Sequence, residues 1–332
     1  MIYKNLEEVY ERYDSFLVDV YGVLYDGNEF YKGALDTLEM VKGSGRRIVI
    51  LSNTSTPADI CKPYYAKRGL SDEIHYDEFI SSGEAFKRTV SQHLPDAKTY
   101  FQIFRRNESI FAESKLVEAK GIEAADLIYV GVLNRFYAAD ELRTKGGLKL
   151  EMDAISSVDC HDIKGFDEVA DMLDTCLKFN KTLVVINPDI FAMEAFEKDG
   201  VITKRPMVCQ GAVGEFYEKM GGKVLYFGKP YQAIYDFAKQ FIKDSKKTAM
   251  IGDTPWTDIL GGNMAGVDTI LTLTGISGEF FKLMEHESLE KKLKQLLEGI
   301  SLKMTHKSLA NISQEPTIVI KSLACSIDMP PN

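Results

Sequence analysis

The chain has 332 residues, a formal net charge of −9 and 45% apolar residues. That length exceeds an ordinary single domain, and that apolar content supports a sizeable core, so two packed domains are expected and global disorder is excluded. The acidic balance argues against a nucleic-acid or anionic-membrane partner, and no apolar run is long enough for a membrane helix.

In chain order, the N-terminal "MIYKNLEEVYERYDS" is amphipathic and acidic, without the apolar stretch of a signal peptide. Short β-branched runs then predict buried strands at 16–18, 47–51, 127–132, 182–186, 224–227, 248–251 and 269–273. Between them, apolar spacing predicts helices over 34–42, 58–68, 166–179, 213–220 and 233–241. This alternation specifies an α/β fold with a mostly parallel, Rossmann-like sheet. The segment 134–164 is weakly periodic and reads as an irregular excursion. Residues 279–297 read as a helix, "PTIVIKSLA" as a last strand, and "DMPPN" as a frayed end. Few strand ends between Glu84 and Arg205 carry polar chemistry, so this span reads as an inserted α/β unit. The expected division is 1–83 for the first part of the core, 84–205 for the insertion and 206–332 for the second part of the core. Ser82-Gly83 and the loop around Lys204–Pro206 are its expected hinges.

The cysteines, Cys61, Cys160, Cys176, Cys209 and Cys325, are widely spaced and odd in number, with no CxxC pair. Neither a disulfide framework nor a structural zinc site is supported, and free thiols suit a reducing cytoplasm. A cytoplasmic location is therefore expected.

Four segments carry complementary chemistry. Asp19 closes the strand in "FLVDVYGVLYDG", and Ser52 and Asn53 follow the strand in "IVILSNTS". Lys229 lies between glycine and proline in "LYFGKPYQAIY", and "TAMIGDTPWTDILGGNMAG" supplies Asp253 at a strand end and Asp258 near a helix start. In parallel α/β sheets the ligand crevice lies beyond such strand ends. Taken alone, each residue has an ordinary role as a turn former, a cap or a surface lysine. Taken together, the carboxylates form an oxygen-only donor set suited to Mg²⁺. Asp19 can serve as nucleophile, and Lys229 and Ser52 can hold a phosphoryl group.

These segments resemble the four motifs of the haloacid dehalogenase superfamily. Their spacing is similar to that of its NagD-like phosphatases, subfamily IIA, in which a large α/β cap of the C2 type separates the second and third motifs. The resemblance covers about residues 14–280. It implies that Asp19 is the nucleophile of an aspartyl-phosphate mechanism, with Lys229 and Ser52 as its catalytic partners. Mg²⁺ would be held by Asp19, Asp253, Asp258 and the backbone carbonyl of Tyr21. The "NPD" at 187–189 is also similar to the subfamily, so Asn187 and Asp189 join Asn53 as expected substrate contacts. The substrate implied is a small phosphorylated metabolite, and a homodimer through the cap is suggested.

Most phosphatases of this superfamily carry an aspartate, the general acid, where this chain has Tyr21. A phenol with a pKa near 10 is a poor acid at neutral pH. Such an acid typically contributes about 10²–10⁴-fold, so turnover is expected to favour good leaving groups. Asp26, in "DG", reads as a turn former rather than a substitute acid, and His161 as a surface or packing residue. Trp256 and Met264 read as packing residues of the fourth motif, and Gly266 as a helix C-cap. Two alternatives stand beside the phosphatase. The first is a phosphometabolite-binding or regulatory protein with vestigial turnover, although pure binding needs no nucleophile. The second is a dehalogenase-type hydrolase, which shares D-x-Y-G but does not need Asp253 and Asp258. A dinucleotide-binding enzyme is disfavoured, because no G-x-G-x-x-G turn follows the first strand.

Overall fold

The computed structural model describes residues 2–104, 108–112, 114–132, 166–198, 201–284, 286–301 and 305–324. The irregular excursion, His161, Cys160 and Cys325 lie outside the described residues. The chain forms two units, the first comprising Met1–Ser52, Ala58–Ser81 and Lys229–Asn332, the second Asn53–Pro57 and Ser82–Gly228.

The first unit is built on a seven-stranded sheet. Its strands in chain order are β1 (Ile2–Tyr3), β2 (Ser15–Val18), β3 (Arg47–Ser52) and β4 (Glu78–Ser81). The remaining strands of the chain, numbered onward, are β5 (Thr99–Ile103), β6 (Val117–Glu118), β7 (Leu127–Val130), β8 (Thr182–Val185), β9 (Phe191–Lys198), β10 (Val201–Val208), β11 (Lys223–Tyr226), β12 (Thr248–Gly252), β13 (Asp268–Thr272) and β14 (Ile318–Ile320). The first sheet has the order β1-β14-β13-β12-β2-β3-β4, with every neighbouring pair parallel. All its strands therefore end on one edge.

Continuous apolar runs suit these strands because both faces are covered. Phe16, Val18, Ile48, Ile50, Ile251 and Ile270 join one core cluster with Leu38 and Val41 of helix α1 (Ala34–Gly43). Leu17, Val49 and Met250, which alternate with them, are buried as well. Helix α2 (Ala58–Ala66) adds Cys61 and Tyr65 to the cluster.

The second unit holds a five-stranded parallel sheet, β11-β8-β7-β5-β6, and the antiparallel hairpin β9–β10. Its helices are α3 (Ser82–His93), α4 (Phe166–Lys178) and α5 (Gln210–Lys219). Two expectations change here. Ser82 and Gly83 open helix α3 instead of forming a free hinge, and a Cβ on Gly83 would sit 2.3 Å from the Ser55 carbonyl oxygen. The later boundary of the unit also lies beyond residue 205, because β11 pairs with β8 and α5 packs on both. Strand 224–227 thus belongs to the second sheet.

Back in the first unit follow α6 (Gln232–Ala238), α7 (Leu260–Ala265), α8 (Gly275–Leu283) and α9 (Leu289–Lys294). The predicted helix over 279–297 is broken between α8 and α9, where the Ser288 hydroxyl caps the Lys291 N–H. Gly266 does end α7 in the left-handed conformation, as its C-cap reading requires. Among the described residues, no helix is long and apolar enough to cross a membrane. Among the described residues, Cys61, Cys176 and Cys209 are buried and in no disulfide.

Candidate active site

The central strands set the geometry. The Asp19 N–H donates to the Ile251 carbonyl at 3.0 Å, extending the β2–β12 ladder one residue past Val18. This extension places Asp19 beside Gly252 and Asp253 at the carboxyl edge of the sheet. Pro255–Ile259 then forms a π-helical turn leading into α7, and it carries Asp258 back to the same edge. Ligand oxygens of Asp19, Asp253 and Asp258, all buried, lie within 4.8 Å of one another.

Lys229, the first residue of the chain's return to this unit, lies among them with its side chain only 2% exposed. Its Nζ is 2.7 Å from Asp19 Oδ1 and 2.8 Å from Asp258 Oδ1. The Val20 N–H also donates to Asp19 Oδ1, at 2.8 Å. The Lys229 and Val20 contacts of Asp19 both fall on Oδ1.

The supporting shell was not anticipated from the sequence. Asp253 Oδ2 accepts the Ile276 N–H at 2.6 Å, and its Oδ1 accepts the Thr254 hydroxyl at 3.1 Å. Asp258 Oδ2 accepts the Thr254 N–H at 3.1 Å. The Ser277 hydroxyl donates to the Asp253 carbonyl and the Thr274 hydroxyl to the Gly22 carbonyl, each at 2.5 Å. Gly22, at φ +85°, leaves no room for a side chain, since a Cβ there would lie 2.1 Å from Asp253 Oδ2. The one available signal was "LTLTGISG", a further strand end followed by threonine, glycine and serine.

Three carboxylates gather about one ammonium, and the charge balance shows in the acidities of Asp19, Asp253 and Lys229. Burial pushes Asp19 up to about 7, with Lys229 pulling it down and Asp258 adding to the rise. Burial, then the charges of Asp258 and Asp19, hold Asp253 well above the carboxylate range. Burial also works against the Lys229 charge, but Asp19 and Asp258 outweigh it and raise its pKa above the usual lysine value. The site is short of positive charge. An all-oxygen, buried, excess-negative donor set fits a hard divalent cation.

The other predicted residues fall in two places. Ser52 is buried as the last residue of β3, opposite Ser81 of β4. Asn53, Asn187 and Asp189 belong to the second unit and form a linked set of their own. The Asn53 amide donates to Asp189 Oδ1 at 2.9 Å, and Asn187 Oδ1 accepts the Asp189 N–H at 3.0 Å. The Tyr21 ring is exposed and meets Tyr25 edge-on, with centroids 5.5 Å apart. Asp26 folds onto its own turn, accepting the Asn28 and Glu29 N–H groups at 2.9 Å, as a turn former does. Trp256 is buried and packs on Phe280 of α8 at 6.2 Å.

Known proteins are similar to this chain in sequence and in fold. A haloacid dehalogenase-like hydrolase model matches residues 16–116, and a HAD-hydrolase-like model matches 226–295. Among curated relatives, phosphoglycolate phosphatase 2 of Arabidopsis thaliana is 27% identical over 290 residues, covering 83% of this chain and 87% of that protein. An acid sugar phosphatase of Staphylococcus aureus is 24% identical over 273 residues, covering 80% and 89%. Three solved structures share the fold. A haloacid dehalogenase-like hydrolase from Brucella suis 1330 has TM-score 0.66 at 19% identity, covering 97% of this chain and 99% of that one. A putative NagD protein has TM-score 0.56 at 20% identity, covering 80% and 90%. A glycerol phosphate phosphatase from Mycobacterium tuberculosis in complex with magnesium has TM-score 0.54 at 17% identity, covering 81% and 70%. The two model matches include all four motif segments, from Asp19 and Ser52 to Lys229, Asp253 and Asp258, and the chain belongs to the haloacid dehalogenase-like hydrolases.

Proposed function

We propose that this protein is a Mg²⁺-dependent phosphatase that hydrolyses small phosphomonoesters through an aspartyl phosphate on Asp19. The observation that carries the reading is the buried group of Asp19, Asp253 and Asp258 around Lys229. Pure binding of a phosphate gains nothing from burying three carboxylates beside it, whereas nucleophilic attack with a cation does. The relatives named for phosphoglycolate and sugar phosphates point to the same substrate class.

In this mechanism Lys229 and the Val20 N–H hold Asp19 Oδ1, and Oδ2 attacks phosphorus in line with the leaving oxygen. The bond from phosphorus to that oxygen breaks, and the oxygen departs with the electron pair, taking its proton from water. Water then attacks the phosphorus of the aspartyl phosphate, which releases inorganic phosphate and restores the carboxylate. Lys229 and Ser52 bind the phosphoryl oxygens throughout. Asp19, Asp253, Asp258 and the Tyr21 carbonyl would hold Mg²⁺, which supplies charge neutralisation for the transferring group. Asn53, Asn187 and Asp189 are assigned to substrate binding. The inserted unit serves as a cap governing access, with a homodimer through it and a cytoplasmic location completing the proposal.

Tyr21 in place of an acid biases the enzyme toward leaving groups that need little protonation. The test is hydrolysis of a series of aryl and alkyl phosphates with Mg²⁺ and with chelator. Rates should require the metal and fall steeply as leaving-group pKa rises, and Tyr21→Asp should flatten that slope. Full activity in chelator would remove the metal from the mechanism, and a flat wild-type slope would mean that another acid serves.

A further inference from the structure

The segment after β13 touches two parts of the site at once. In the first sheet β13 lies beside β12, and β12 separates it from β2. Neighbouring strands are about 4.8 Å apart, so a chain leaving β13 must cross the end of β12 to meet the loop after β2. Residues Thr274 to Ser277 make that crossing. The Thr274 hydroxyl donates to the Gly22 carbonyl and the Ser277 hydroxyl to the Asp253 carbonyl, each at 2.5 Å. Between them, the Ile276 N–H donates to Asp253 Oδ2 at 2.6 Å. The approach is close enough to require glycine on both sides. A Cβ on Gly275, at φ +53°, would lie 2.4 Å from the Gly22 Cα and 2.0 Å from Asp253 Oδ2.

Both hydroxyls are buried. They bond main-chain carbonyls, so they fix where the two loops run without altering the charge the loops carry. The load on those loops is electrostatic. Asp19, Asp253 and Asp258 bring ligand oxygens within 4.8 Å of one another. Until a cation binds, their mutual repulsion acts to part the loop bearing Asp19 from the loop bearing Asp253. Thr274 and Ser277 tie both loops to one short segment, and separating them breaks a buried hydrogen bond.

We infer that Thr274 and Ser277 are positioning residues whose hydroxyls hold the divalent-cation site assembled before the cation arrives, and so set its affinity. The inference rests on the cation site of the phosphatase reading. A donor set already in place binds without the cost of ordering its loops. Groups that orient metal ligands from behind typically contribute about 10–100-fold in affinity. The chain supplies its own comparison in Thr248, at the opposite end of β12. That residue is also buried, and its hydroxyl donates to the Asp244 carbonyl at 2.5 Å. The bond is of the same kind on the same strand, but at the edge away from the carboxylates.

The test measures metal binding directly. Mn²⁺, which suits the same oxygen ligands as Mg²⁺ and is read by electron paramagnetic resonance, is titrated into the full chain and then displaced with Mg²⁺. Thr274→Val and Ser277→Ala should each weaken Mn²⁺ binding by about 10-fold, the lower end of such effects. Thr274→Ser, which keeps the hydroxyl, should retain the wild-type affinity. Thr248→Val should lower the melting temperature and leave the affinity unchanged. In turnover assays Thr274→Val should need more Mg²⁺ for half-maximal rate, with kcat recovered at saturating Mg²⁺. Affinity unmoved in both folded hydroxyl-free variants, or weakened equally by Thr248→Val, would overturn the inference, as would a wild-type protein that binds no Mn²⁺. One measurement needs no variant: in metal-free wild type the Ile276 amide should already resist hydrogen exchange, and exchange at the rate of an exposed amide would overturn the preassembled site. Weakened metal binding in the variants of a protein that hydrolyses no phosphate ester would leave the inference standing and overturn the phosphatase reading instead.

Discussion

Lys229→Met removes the ammonium that contacts both Asp19 and Asp258 while keeping most of the volume of the buried side chain. Both contacts are short, at 2.7 and 2.8 Å, and the lysine is 2% exposed, so water cannot replace the ammonium. Removing one partner of a buried ion pair costs about 3–5 kcal/mol because the other charge is stranded. For a unit of this size, each kcal/mol shifts Tm by about 2–4 °C, so the melting point should fall by roughly 6–20 °C in chelator at pH 8. The origin of the loss can be isolated. Stranded carboxylates escape the penalty by taking protons, so the deficit should shrink markedly at pH 5.5, and Asp19→Asn in the same chain should recover part of it at pH 8. Thermal unfolding followed by circular dichroism measures all of these. A deficit below about 1 kcal/mol, or one equal at the two pH values, would refute the electrostatic account and leave only packing.

The remaining predictions concern glycine geometry and proton linkage. Gly22 and Gly45 share φ +85°, but a Cβ on Gly22 meets Asp253 at 2.1 Å and one on Gly45 meets nothing within 4 Å. Gly45→Ala should therefore cost only the conformational penalty of about 1–2 kcal/mol and keep activity, while Gly22→Ala should lose more stability and nearly all turnover. Equal losses in denaturant titration and rate assays would show that backbone conformation alone explains both. Metal-free protein should become more stable on acidification. Folding raises the Asp19 pKa to about 7 and holds that of Asp253 well above the ordinary carboxylate value, so the folded state binds these protons more tightly than the unfolded chain. Their contribution is fully present below the ordinary carboxylate pKa and is lost as pH rises through about 7. The stabilisation by added Mg²⁺ should accordingly grow between pH 5 and 8, and calorimetric melting curves that show no such growth would contradict the linkage.

Much of this site was legible because the central strands are buried on both faces and their chemistry begins where the apolar run stops. Asp19, Ser52 and Asp253 each follow such a run, so strand ends announced them. Lys229 was found for a partly wrong reason, since the strand before it, β11, pairs in the second sheet. An apolar run records that a strand is buried, not which sheet buries it. Beyond the two-residue β1 and β6, the strands missed are those whose polar residues hide the pattern. β4 starts with Glu78, β5 includes Thr99 and Gln102, and the β9–β10 hairpin carries charges along both strands. The supporting hydroxyls of Thr254, Thr274 and Ser277 were invisible for another reason. Small polar residues are common at strand ends, and only the fold decides which of them meets a carboxylate. Tyr25 meets both Tyr21 and Tyr65 edge-on, with centroids 5.5 and 5.8 Å away, a grouping across α1 and β3 that spacing cannot reveal.

The most direct test of the central claim is the turnover of an activated aryl phosphate by Asp19→Asn and Asp19→Ala at saturating Mg²⁺, with circular dichroism confirming the fold. If Asp19 Oδ2 is the attacking atom, both variants should lose at least about 10³-fold in kcat. Activity within tenfold of wild type in either folded variant would contradict the account.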